Sequence, residues 1–138
     1  MFNVNLAMTF TGIISFLTYF GSAVVMTALF LIIYGLITPY EEVRLISEGN
    51  AASAYSYGGA LLGFAIPLAG AISHSVGVLD MIIWAGLALV IQVITFLIVR
   101  LVMPHIVSDI PDNKVSCGVF LGVLSLAAGI INAACMTY

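Results

Sequence analysis

The chain has 138 residues, of which 63% are hydrophobic and 7% charged, with a net charge of −3 at pH 7. A soluble domain carries about a quarter charged residues, so this composition excludes an ordinary water-soluble fold, and three Lys and Arg in all leave no basic surface for nucleic acid. A core buried in a larger soluble assembly would still need polar residues at every turn of its outward face, and they do not recur.

Residues 1–11 hold no Lys or Arg, so the first apolar run lacks the basic region of a signal peptide and is expected to be retained. That run, Gly12 to Thr38, is followed by Ala52 to Val76, Leu79 to Met103 and Val115 to Met136. Each has about 22 to 27 residues, enough at ~1.5 Å per residue to cross a hydrocarbon core of ~30 Å. Lipid offers the backbone no hydrogen-bond partner, so spans of this length are predicted as helices. The expected fold is an all-α membrane protein, one domain over 1–138 with four transmembrane helices in a compact bundle.

The first connection carries Glu41, Glu42, Arg44 and Glu48. Arg100 ends the third span and Lys114 lies in the last connection, so all the positive charge falls on one side of an alternating bundle. The positive-inside bias makes that side cytoplasmic and both termini periplasmic. Tyr34, Tyr40, Tyr55 and Tyr57 near the inner boundary, with Tyr19 and Trp84 near the outer one, fit interfacial aromatic belts.

In the second span Gly59 and Gly63 stand in GxxxG spacing, and Pro67 removes one backbone hydrogen bond, which predicts a bend and a freed carbonyl near residue 63. The fourth span carries Gly118, Gly122, Ser125, Gly129 and Asn132 in one small or polar stripe. Small residues let helix backbones approach, within a chain or between copies, and helix packing is the plainer use.

The halves also repeat. Sliding the first by about 65 residues sets Gly21 on Gly86, Ala23 on Ala88 and Pro39 on Pro104; after a slightly shorter loop, Asn50 falls on Asn113, Gly59 on Gly122 and Ala65 on Ala128. Two tandem hairpins, about 12–76 and 79–136, would be related by an axis along the membrane normal.

Several of these runs carry a resemblance. Asn50-Ala51-Ala52-Ser53, Gly59-Ala60-Leu61-Leu62-Gly63 with Ile66-Pro67-Leu68, Ala88-Leu89-Val90-Ile91-Gln92, Arg100-Leu101-Val102-Met103-Pro104 and the ending Gly129-Ile130-Ile131-Asn132-Ala133-Ala134-Cys135-Met136 are similar to the YjfL-type bacterial inner-membrane proteins, a family known by a domain-of-unknown-function name. The resemblance covers the chain from the first helix onward. It implies the bacterial cytoplasmic (inner) membrane and four helices, and it implies no activity.

Polar side chains at mid-span are the candidates for chemistry. Gln92 lies near the middle of the third span and Thr27, its repeat partner, at similar depth in the first, while Asn132 lies toward the outer side of the fourth. An amide in hydrocarbon needs a partner, so each either fixes helix packing or lines a path. His74 and Asp80 flank the outer turn, where imidazole could sense protons, although helix capping is the commoner role. No HExxH, CxxC, phosphate loop or catalytic triad spacing is present, so no catalytic residue, metal or cofactor is expected. Cys117 and Cys135 are eighteen residues apart on one helix, about 27 Å, too far to bridge. Two functions fit: a homo-oligomer conducting a small ion or proton past Thr27, Gln92 and Asn132, or a membrane scaffold recruiting a cytoplasmic protein through its short inner loops.

Overall fold

The computed structural model describes residues 2–136. In chain order it contains α1 (Phe2–Ile37), α2 (Glu42–Ser47), α3 (Ala51–His74), α4 (Val78–Val102), α5 (Ile106–Asp109) and α6 (Val115–Cys135). Four of these, α1, α3, α4 and α6, are long and apolar enough to cross a membrane. The short helices α2 and α5 lie in the two longer connections, which share one end of the molecule, the loop end; the Ser75–Gly77 link lies at the opposite, turn end.

The span limits of α3, α4 and α6 fall within one or two residues of expectation, because the apolar runs end at Asn, Gly, Pro and charged residues that punctuate helices. α1 departs from it. Its 36 residues start well before Gly12 and would extend about 54 Å at 1.5 Å per residue, more than the hydrocarbon is thick. The polar residues near its start do not break it, since Thr9 and Thr11 return their hydroxyls to the carbonyls of Asn5 and Ala7 one turn back, at 2.8 and 2.9 Å.

α3 and α6 form the closest pair. Both run away from the loop end, so they pack in parallel, glycine face against glycine face. A methyl group built on Gly59 would collide with the Gly122 backbone, one on Gly118 with Ala52, one on Gly122 with the Tyr55 carbonyl, and one on Gly129 with the Gly63 carbonyl. The small-residue stripes are therefore used within the chain. Backbones this close gain dispersion and Cα–H···O contacts of about 0.5–1 kcal/mol each, in place of a hydrophobic drive that lipid does not supply. α3 continues through the buried Pro67. Pro67 has no N–H, which frees the Gly63 carbonyl, and that carbonyl abuts Gly129 rather than opening onto a cavity.

α4 lays Met81, Ala85, Ala88, Gln92, Phe96 and Val99 on this pair, a single face at spacings of three and four. α1 is the least embedded, with only Ala23, Phe30 and Tyr34 buried. Phe30 stacks on Phe64 at 4.5 Å between ring centroids, Tyr34 meets the edge of Phe96 at 5.8 Å, and the Tyr57 hydroxyl donates to the Leu31 carbonyl at 3.1 Å. The aromatic belt expected at the inner boundary is thus partly drawn inside: Tyr34 and Tyr40 are buried, Tyr57 is half-buried and Tyr55 is exposed. The outward faces of all four long helices are Leu, Ile, Val and Phe, the surface lipid requires.

Candidate functional site

The loop end is clamped by two asparagines. The Asn50 carbonyl oxygen caps α3 by accepting from the Ser53 N–H at 2.8 Å, while its amide donates to the carbonyls of Ile110 and Pro111 at 3.0 and 3.1 Å. Asn113, in left-handed backbone with φ 59°, accepts from the Ala52 N–H at 3.1 Å. One helix start thus ties both connections together.

Beside this clamp Glu42 is 3% exposed. Its carboxylate accepts from the Thr38 hydroxyl, and among the described residues no Lys, Arg or His is within ion-pair distance of it; Arg44 turns instead to Glu41 and Glu48 on the surface, at 3.1 and 3.9 Å. Burial pushes the Glu42 carboxyl above the usual carboxylate range, and the Thr38 hydrogen bond offsets only part of that. Glu42 borders a cleft of about 520 Å³ between α1, α2 and α3, with Ile32, Gly35, Leu36, Val43 and Arg44 among its walls.

At mid-depth a second polar group is fully enclosed. Gln92 and Ser125 are each ten residues from the loop end of their helices, about 15 Å in. Both are 0% exposed and Tyr34 is 2% exposed. The Gln92 amide nitrogen donates to the Ser125 carbonyl at 3.0 Å, which fixes which way the amide points. Its oxygen, the Ser125 hydroxyl and the Tyr34 hydroxyl have no hydrogen-bond partner among the described residues. The Tyr34 hydroxyl is turned toward Ser125 without reaching bonding geometry. Three helices therefore bring three unsatisfied polar atoms to one level of the membrane, where each would cost about 1–3 kcal/mol if left dry.

Buried polar groups continue to either side. Toward the loop end, the Tyr40 hydroxyl faces Ser56, whose own hydroxyl donates to the Ser53 carbonyl at 3.1 Å, and the Ser53 hydroxyl reaches the Glu42 carbonyl at 3.5 Å. Toward the turn end, Asn132 lies two turns beyond Ser125 with its amide nitrogen unsatisfied, and the Ser75 hydroxyl is unsatisfied as well.

Of the residues singled out in the sequence, Gln92 sits at the centre of this group and Asn132 on its extension. Thr27 does not join them. Its hydroxyl returns to the Ala23 carbonyl at 2.8 Å, and it lines a hollow on α1 with Phe20, Val24 and Ala28. Asp80 accepts from the Val76 N–H at 3.2 Å, holding the turn before α4, and the His74 ring contacts the Gly70 carbonyl of its own helix at 3.0 Å. Gly59, Gly63, Gly118, Gly122 and Gly129 are all packing residues of the α3 and α6 contact, and Pro67 is buried within α3. Sequence reasoning missed Glu42, Tyr34 and Ser125: Glu42 was only one of the acids of the first connection, Tyr34 was read as a belt aromatic and Ser125 as one member of a small-residue stripe.

A polytopic helical membrane protein with a polar interior is the class these features define. The chain belongs to the family described as Domain of Unknown Function (DUF350), whose pattern matches residues 8–136. It is 43% identical over 127 residues to the UPF0719 inner membrane protein YjfL of Escherichia coli K12, covering 92% of this chain and 96% of that protein. It is 30% identical over 118 residues to the UPF0719 transmembrane protein YshE of Bacillus subtilis, covering 84% and 88%. No solved structure matches. The protein is accordingly an integral protein of the bacterial inner membrane.

Proposed function

We propose that this protein conducts a small monovalent ion, the proton foremost, along a polar path inside each chain. The observation that carries this reading is the mid-depth group of Tyr34, Gln92 and Ser125, with one unsatisfied polar atom from each of three helices. Hydroxyls both donate and accept, so a row of them can pass a proton once water completes the gaps, and neutral oxygens suit a monovalent charge better than a divalent one. The groups running to Glu42 on one side and Asn132 on the other supply the approaches.

This moves the path from between copies, as expected from the sequence, into the chain. A homo-oligomer would then hold parallel paths and use lipid-facing sides for contact, α1 above all. The scaffold alternative has less support: Asn50 pins the second connection to the start of α3, and Ile106 and Ile110 are buried, which leaves little loop to offer a cytoplasmic partner. No catalysis is part of this reading.

Two tandem hairpins also belong to it. Each half has a long helix, a short loop helix and a second long helix, and the loops bond alike, Asn50 N–H to the Leu45 carbonyl and Lys114 N–H to that of Asp109. That correspondence pairs Asn50 with Lys114, one residue on from the side-chain match. The positions of Arg44, Arg100 and Lys114 support a cytoplasmic loop end. A thiol introduced beside Lys114 should then react only in permeabilised cells, and one at Tyr138, outside the described residues, in intact cells; the reverse pattern would invert the orientation.

The conduction test is Gln92→Leu in liposomes with an internal pH dye. The substitution keeps volume and removes both polar atoms, so proton flux should fall about tenfold or more, as for a lost charge-stabilising contact of ~1.4 kcal/mol or greater. Unchanged flux in folded Gln92→Leu protein would reject the path.

A further inference from the structure

We infer that the cleft between α1, α2 and α3 at the loop end holds the headgroup of a zwitterionic aminophospholipid from the bilayer, its ammonium on Glu42 and its phosphate on Arg44.

The cleft measures about 520 Å³, room for a headgroup and the start of a chain. Its inner wall carries a carboxylate that is 3% exposed and without a cationic partner among the described residues. Thr38 occupies one carboxylate oxygen; the other lies 3.6 Å from where a methyl group on Gly35 would stand, so the missing side chain keeps the space in front of it open. A buried carboxylate of this kind calls for a positive group that can shed most of its water and donate hydrogen bonds, as a primary ammonium does.

The rim carries both signs, the Arg44 guanidinium beside the Glu41 carboxylate, which also lines the cleft. Arg44 is exposed and its two ion pairs are of the weak surface kind, so its guanidinium can also take a phosphate. Of the other walls, Ile32, Leu36 and Val43 are apolar and exposed, and Leu31 and Tyr57 are half-buried. Carboxylate within, guanidinium at the mouth and hydrocarbon alongside match an ammonium joined to a phosphate by two carbons and then to acyl chains. The position suits it as well, since the cleft lies where a membrane-spanning helix meets a charged loop, the level of the headgroups. The site shares Glu42 with the inner approach to the proposed path, but its test reads lipid binding rather than proton flux, so either can fail without the other.

The test is calorimetric titration of the purified full-length protein in mild detergent with a short-chain phosphatidylethanolamine below its micellar concentration. Saturable binding of one lipid per chain is expected, weakened about tenfold or more by Glu42→Gln and by Arg44→Gln, the usual scale for a charge-assisted contact. Gly35→Val leaves both charges in place and fills the cleft, so it should weaken binding too, which keeps the inference testable if Glu42→Gln does not fold. The corresponding phosphatidylcholine, whose ammonium has no N–H to donate, and hexylamine, which lacks the phosphate, should each bind at least tenfold more weakly. Absence of phosphatidylethanolamine binding, equal binding of phosphatidylcholine or of hexylamine, or binding indifferent to Glu42→Gln and Gly35→Val would overturn it.

Discussion

Gly122→Leu should leave almost no correctly folded protein in mild detergent. Any Cβ at this position meets the Tyr55 carbonyl, and Gly59, one turn further along α3, is packed as closely against the Gly122 backbone. Inserting carbon into a packed core costs about 1–3 kcal/mol when side chains can give way; here the obstacle is main chain on a neighbouring helix, so α3 and α6 must separate. Total stabilities are only about 5–15 kcal/mol, and separating this pair removes the surface on which α4 packs. Gly86→Leu provides the contrast, since nothing lies within 4 Å of a methyl group there. Thermal size-exclusion profiles should show Gly86→Leu near wild type and Gly122→Leu aggregated. A monodisperse, wild-type-like Gly122→Leu protein that had only lost self-association would mean that the glycine face joins copies instead.

Asn50→Ala should produce the next largest loss. Removing the cap of α3 costs about 1 kcal/mol, and the carbonyls of Ile110 and Pro111 lose their donor in a place largely closed to water, at about 1–3 kcal/mol each. A loss of roughly 3 kcal/mol or more in unfolding free energy is expected, seen as a lowered thermal or denaturant midpoint. Asn50→Asp separates the two contributions, because a carboxylate still caps the Ser53 N–H but faces two carbonyls without a donor. It should therefore be no better than Asn50→Ala, despite being an equally good capping residue in isolation. An Asn50→Asp protein as stable as wild type would show that the cap matters and the clamp across the connections does not.

The spanning helices were legible in the sequence because lipid leaves so few alternatives: an apolar run of sufficient length must satisfy its own backbone. What was not legible depended on meetings between distant residues. The start of α1 was obscured because Asn3, Asn5, Thr9 and Thr11 look like a polar leader, whereas the two threonine hydroxyls are satisfied one turn back in the same helix. The short helices α2 and α5 are too brief for a hydrophobic period to declare itself. Gln92 could be found as a lone amide at mid-span, since its cost in hydrocarbon is local information. Ser125 and Tyr34 could not, because a serine in a glycine stripe and a tyrosine near a span end are ordinary features until α6 sets the Ser125 carbonyl on the Gln92 amide and α1 turns the Tyr34 hydroxyl toward Ser125. Glu42 was hidden as one of three acidic residues in its connection. Its i, i+4 relation to Thr38, the one local signal, became meaningful only once burial separated it from Glu41 and Glu48.

The decisive measurement is proton permeability of single liposomes, reconstituted so dilutely that most occupied vesicles hold one chain, with an internal pH dye and an imposed potential. If the path lies within the chain, vesicles holding one copy should dissipate the gradient, and their fraction should rise in direct proportion to protein added. Gradients retained in every singly occupied vesicle, while folded protein is present, would contradict an intrachain path through Tyr34, Gln92 and Ser125.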